Sequence, residues 1–460
     1  MPAVSNRGLQ SLRLAVVWIG AAASCVLLGA AVTRSPVTAL LVLGGATVGL
    51  TWIVLGAESV VTLALLTAVG LMPYVDPDQL LFGTVPLWAA ALLAAAAVTL
   101  AAWAVHERSE PERVATPRGG ISVTLVLVLV LLAYTLVRLL ASEPAQALDT
   151  TGRILAFAPA AVLGYAMFSQ PRVREGFMRA VPLLVSVLVI WGVSYVAAAT
   201  GQCDACTAIV QSGSEREGLA GGASRLYTSG QDALSGLAVI ALALALARPS
   251  PATLALAVLG ILNIAVQATR AQYLAFACAA LVLLVWRFRT SRPSGRVVLA
   301  LGTAAAFVAI ATSPVAERAV SGYQELRDSS GNAGYRLRLL DQTSESWSLF
   351  GQGVGTDLSA ATADFNFDLG LPNTILALGL FGAALQLAVL VAAIGRGFRA
   401  GGLVGISLAA VLTLVLVGRP SLPVLEYGPS GVAYGLAVGA ICALPLASSA
   451  ASEASARWRA

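Results

Sequence analysis

Long apolar runs, separated by short polar stretches, set the pattern of the whole chain. A helix that crosses a bilayer needs about 20 mostly apolar residues. Runs of this kind cover 14–32, 37–56, 59–73, 85–105, 121–141, 151–169, 179–200, 233–248, 251–269, 271–287, 297–312, 373–394, 401–418 and 430–447. The run at 59–73 is short and the region 233–287 is crowded, so the hydropathy pattern predicts about 12–14 spans. The expected fold is all-α, a polytopic transmembrane helical bundle. The first run lacks a small-residue cleavage site before a soluble domain and reads as a retained helix.

The polar stretches divide this bundle. Helices are expected over 1–312, interrupted by an outer loop at about 201–232. A large extracytoplasmic loop follows over 313–372, and three helices with a short cytoplasmic tail fill 373–460. Loops of such length inside a compact domain are usually functional or disordered. The second loop carries its own apolar and aromatic residues, among them Tyr323, Tyr335, Leu339, Trp347, Phe350 and Phe365. That pattern predicts a folded outer cap with a helix over 333–347.

Composition agrees with the pattern. Hydrophobic residues make up 58% of the chain and charged residues 11%, whereas a soluble domain carries about 25% charged residues. All 28 basic residues are Arg. A GC-rich coding sequence accounts for that bias, and a use of Arg in gripping phosphate is compatible with it. The placement of charge is more informative. With the N-terminus in the cytoplasm, the inside segments carry 17 Arg against 6 acidic residues, and the outside segments 9 Arg against 17. This is the positive-inside asymmetry. It predicts an even number of spans with both termini cytoplasmic.

Candidate chemistry concentrates on the outer side. Arg138, Arg153 and Arg270 sit near outer helix ends, and Arg225, Arg336, Arg338 and Arg419 are expected in outer loops at apolar boundaries. Guanidinium groups there either snorkel to lipid headgroups or form a cationic site. Such a site suits a lipid-linked phosphate or diphosphate, which Arg holds through paired, charge-assisted hydrogen bonds. A transfer reaction also needs a base for the acceptor hydroxyl. The chain's one His, His106, falls on the inner side. The outer candidates are carboxylates, foremost Asp368 and Asp364, which precede a helix start at Pro372–Asn373; each is equally an ordinary solvated loop acid. Cys203 and Cys206 lie in the first outer loop. A local disulfide suits an oxidising compartment, while a zinc site would need two further ligands and a redox motif a βαβ context. Cys25, Cys278 and Cys442 fall in spans as packing residues. There is no phosphate-binding Gly-rich loop or metal-ligand cluster in the inner loops, so coupling to nucleotide hydrolysis is not expected; no metal or other cofactor is expected either, since guanidinium groups can supply the charge.

Three segments resemble the O-antigen ligase and O-antigen polymerase family, over about 218–394. Arg225–Leu226–Tyr227–Thr228–Ser229–Gly230 leads into an Ala/Leu-rich helix. Thr269–Arg270–Ala271–Gln272–Tyr273–Leu274 joins two closely spaced helices. Arg336–Leu337–Arg338, then Ser348 through Gly355 with Gly351 and Gly353, then Pro372–Asn373 through Gly379–Leu380–Phe381–Gly382, follow in the family's order. The resemblance implies a membrane glycosyltransferase acting on polyprenyl-diphosphate-linked oligosaccharides outside the cytoplasmic membrane. Arg225 and Arg270 would bind the diphosphate, with Arg336 or Arg338 assisting. The large loop would present the glycan acceptor, with Gly351, Gly353 and Asn373 as its motif residues. Pro372 stands where the family has His. Either an acid such as Asp368 substitutes, or the chain is a divergent polymerase, or it is inactive. The alternatives to a transferase are a lipid-linked glycan flippase or transporter and a non-catalytic envelope assembly protein.

Overall fold

The structure is a computed structural model that describes residues 122–140, 156–169, 231–267, 270–291, 344–353, 370–420 and 428–445, two short hairpins and a few single positions. The described helices are α1 (Val123–Leu140), α2 (Phe157–Phe168), α3 (Gln231–Ala247), α4 (Pro251–Gln267), α5 (Arg270–Thr290), α6 (Gly370–Ala400), α7 (Gly402–Gly418) and α8 (Gly428–Ala443). Strands β1 (Leu80–Leu81) and β2 (Val85–Pro86) form one antiparallel hairpin, and β3 (Arg216–Gly218) and β4 (Ser224–Leu226) another. Apart from these two hairpins and short joining segments, 345–353 among them, the described part is helical. Among the described residues three helices are long and apolar enough to cross a membrane: Val123–Leu140, Ala271–Thr290 and Gly370–Ala400.

Local chemistry explains where several helices begin. Ser122 caps α1, its hydroxyl accepting the Leu125 N–H at 3.1 Å. Between α3 and α4 the chain turns within three residues. Ser250 Oγ accepts the Thr253 N–H at 3.2 Å, and Thr253 Oγ1 accepts the Ser250 N–H at 2.9 Å. This is a reciprocal capping box with Thr in the place of Glu. Pro251 takes the first helical position, where its missing N–H costs nothing.

Packing is set by α7 and by small residues. Helix α7 is apolar on all sides and packs against α3, α5, α6 and α8, as a helix in the middle of a bundle must. Its hydroxyls turn back on their own helix. Ser407 donates to the Leu403 carbonyl at 2.6 Å and Thr413 to the Ala409 carbonyl at 2.9 Å. Helices α2 and α8 make the closest approach. A Cβ on Gly435 would lie 2.4 Å from the Phe157 carbonyl oxygen, and one on Gly439 2.1 Å from that of Ala161. Small residues at four-residue spacing let backbones meet where lipid supplies no hydrophobic drive.

Two contacts fix the direction of the last three helices. The Leu371 N–H donates to the Arg419 carbonyl at 3.1 Å, so the start of α6 and the end of α7 share one end of the bundle. At the opposite end the Arg396 guanidinium donates to the carbonyls of Ile441 (3.1 Å), Cys442 (2.9 Å) and Leu444 (3.1 Å). A cation there satisfies the last carbonyls of α8 and complements its dipole. The chain therefore threads back and forth, as successive spans require.

Candidate functional site: a broken helix and its strap

Helix α6 is not continuous. Gly379 has φ 76° and ψ 175°, which breaks the helical ladder. In an apolar environment each freed backbone group costs several kcal/mol unless it finds a partner. The chain from Ser348 to Gly353 supplies most of those partners. The Gln352 N–H donates to the Leu376 carbonyl at 2.8 Å, the Leu380 N–H to the Ser348 carbonyl at 3.0 Å and the Phe381 N–H to the Leu349 carbonyl at 3.0 Å. This segment is a strap laid across the break.

Two glycines make the strap possible. Gly351 (φ 77°) and Gly379 (φ 76°) both adopt the left-handed region, which side chains with a Cβ rarely enter. Their backbones also touch. A Cβ on Gly351 would lie 2.4 Å from Gly379 N, and one on Gly379 would lie 2.3 Å from Gly351 N.

Helix α1 closes the arrangement from the side. Tyr134 donates its hydroxyl to the Leu378 carbonyl at 2.6 Å and lies 3.3 Å from the Phe350 carbonyl. Its ring meets Phe381 edge-on, with centroids 5.1 Å apart. One turn further on, Arg138 Nη2 donates to the Gly351 carbonyl at 3.1 Å. The sequence places Arg138 near a helix end as part of a cationic face; in the structure its guanidinium also grips the strap backbone.

From the other side comes Arg419, the residue after α7. Its exposure is 0%. Nη2 donates to Thr374 Oγ1 at 3.1 Å and to Gln386 Oε1. Thr374 precedes the break and Gln386 follows it. The sequence predicts Arg419 in an outer loop; the structure instead buries it in the bundle. The difference arises because the α7 run ends beside the start of α6, and Thr374 before the break and Gln386 after it receive the guanidinium.

Asn373 neighbours Thr374. It is 4% exposed, and its Oδ1 has no hydrogen-bond partner among the described residues. Buried polar atoms are almost always paired, which sets this oxygen apart among the described side chains.

The motif residues Gly351 and Gly353 are thus brought to the same end of the bundle as Asn373. Arg225 lies on β4, in register with Glu217 on β3, and β4 packs near α4. Arg270 begins α5. Arg336, Arg338, Asp364, Asp368, Cys203 and Cys206 lie outside the described residues. Of the span cysteines, Cys442 is buried and Cys278 half-buried, both as free thiols; Cys25 lies outside the described residues. Sequence reasoning missed Tyr134 and Gln386. A lone Gln in the apolar run 373–394 was a usable signal, because a polar group at that depth needs a partner.

No protein-family model matches the chain, and no curated protein matches it.

Proposed function

We propose that the chain is a membrane glycosyltransferase that polymerises or ligates polyprenyl-diphosphate-linked oligosaccharides on the outer face of the cytoplasmic membrane. One observation carries this reading. Two glycine motifs far apart in sequence, 348–353 and 379–382, lock together at the bundle end that holds the buried, unpartnered Asn373 Oδ1. These are two of the segments in which the chain resembles the O-antigen ligase and polymerase family.

In this reading Arg225 and Arg270 hold the diphosphate, with Arg336 or Arg338 assisting. The acceptor sugar's hydroxyl oxygen attacks the anomeric carbon of the donor. The bond from that carbon to the diphosphate oxygen breaks, and polyprenyl diphosphate leaves with its bonding pair. Guanidinium groups stabilise the charge that develops on the leaving group. Asp368, or Asp364, takes the hydroxyl proton. Asn373 Oδ1 accepts a hydrogen bond from a second acceptor hydroxyl.

A transporter is the second reading, and the broken helix favours it, because transporters place their sites at such breaks. Against it, the carbonyls of Leu376 and Leu378 and the N–H groups of Leu380 and Phe381 all have protein partners. These groups are committed to the strap and to Tyr134.

The two readings separate in vesicles holding the purified full-length chain. The substrate is lipid-linked oligosaccharide extracted from cells that lack the chain. Transfer yields longer glycan and free polyprenyl diphosphate without nucleotide. Movement of the lipid across the bilayer with no elongation would instead favour the transporter.

A further inference from the structure

The buried Arg419 is not explained by packing. Taking a charge out of water costs several kcal/mol per ion in real proteins, about as much as it regains, and an apolar replacement is often neutral or stabilising. A guanidinium at 0% exposure inside an apolar bundle therefore calls for a role that Met or Leu would not fill. Its contacts define one. Thr374 lies in the short first half of α6 and Gln386 in the long second half, and the same guanidinium nitrogen bonds both. The backbone of Arg419 adds a third tie, its carbonyl accepting the Leu371 N–H at 3.1 Å. The break at Gly379 leaves the angle between the halves free of the helical ladder. Arg419 restores that constraint from a neighbouring helix.

We propose that Arg419 is a positioning residue: it spans the break in α6, fixes the first half against the second, and so holds Asn373 and the 348–353 strap in the register that transfer requires. The part of this statement that concerns transfer rests on the reading given above.

The test uses the full-length chain, free of native cysteines, in cells whose own copy is deleted. Ser348→Cys and Leu380→Cys mark the strap and the break, whose backbones are bonded at 3.0 Å. A short bis-methanethiosulfonate reagent links them in membranes. The link is expected to form with Arg419 intact, to be mostly lost with Arg419→Met or Gln386→Leu, and to be kept with Gln386→Glu, which still accepts the guanidinium. Glycan length is read from the same variants without the marker cysteines. Arg419→Met and Gln386→Leu are expected to lower long glycan by about tenfold or more, the scale on which misplaced reacting groups act. The amount of lipid-linked donor retained on the purified protein should stay at the wild-type level, and Gln386→Glu should rescue long glycan. An unchanged cross-link in Arg419→Met and Gln386→Leu overturns the proposal, as does a lost cross-link with unchanged glycan. If the wild-type chain itself restores no long glycan, the transferase reading fails separately, and the cross-link alone upholds or overturns the bridge.

Discussion

Gly351 and Gly379 lie against each other backbone to backbone, each in the left-handed region and each occupying the space where the other's side chain would be. The contact ties a loop to a broken helix 28 positions further along the chain, and it organises the end of the bundle that carries the buried Asn373, Thr374 and Arg419.

Replacing either glycine tests that contact. Gly379→Ala and Gly351→Ala meet both a disfavoured backbone region, at about 1–3 kcal/mol, and a direct overlap. Both are expected to lower the unfolding midpoint of the detergent-purified chain. Gly395→Ala is the control. It lies inside α6 with nothing within 4 Å of its added Cβ, so it should be neutral or stabilise by about 0.5–1 kcal/mol. Equal effects of all three would refute the interlock.

Tyr134→Phe removes the hydroxyl bonded to the Leu378 carbonyl while leaving the ring on Phe381. Stranding a buried carbonyl costs about 1–3 kcal/mol. Hydrogen exchange at the Leu380 and Phe381 amides should speed up, with α8 amides unaffected. Unchanged protection would show that the strap does not depend on α1.

Gly439→Leu should separate α2 from α8, because no side chain fits 2.1 Å from the Ala161 carbonyl. The expected result is loss of monodisperse protein on size-exclusion chromatography. Wild-type behaviour would mean that the close approach of these helices is not required.

Arg396→Ala removes three hydrogen bonds to the end of α8. Hydrogen bonds from a charged group contribute about 1.5–3 kcal/mol, so a clear loss of thermal stability is expected. Arg396→Lys should recover part of it. Because Arg396 is at the end away from the strap, glycan length per folded molecule should not change.

Much of the helical layout was legible because it depends on apolar runs alone. The runs at 121–141, 233–248, 251–269, 271–287, 401–418 and 430–447 each correspond to a described helix within a few residues. The run at 373–394 hid the break, because Gly379 in an apolar stretch reads equally as a tolerated helical glycine. What decides it is a partner strand from 348–353, a tertiary contact with no local signature. The same holds for Arg419. Its position beside a run boundary reads as a loop, and its burial depends on Thr374 and Gln386 being delivered by another helix. The two hairpins were missed for a simpler reason: strands of two or three residues are too short to show alternation. Gly351, Gly353 and Asn373 stand out in the sequence only through family-like order. Their physical setting, a close backbone contact for Gly351 and a buried Asn373 whose Oδ1 has no partner among the described residues, comes only with the fold.

The most direct test of the transfer reading is glycan length in cells whose own copy is deleted, complemented with wild type, Arg225→Ala, Arg270→Ala or Asp368→Asn at equal membrane expression. Wild type is expected to restore long glycan, both Arg variants to leave short lipid-linked units, and Asp368→Asn to match them if that carboxylate is the base. Long glycan at wild-type levels from both Arg variants would contradict the diphosphate site and the transferase reading with it.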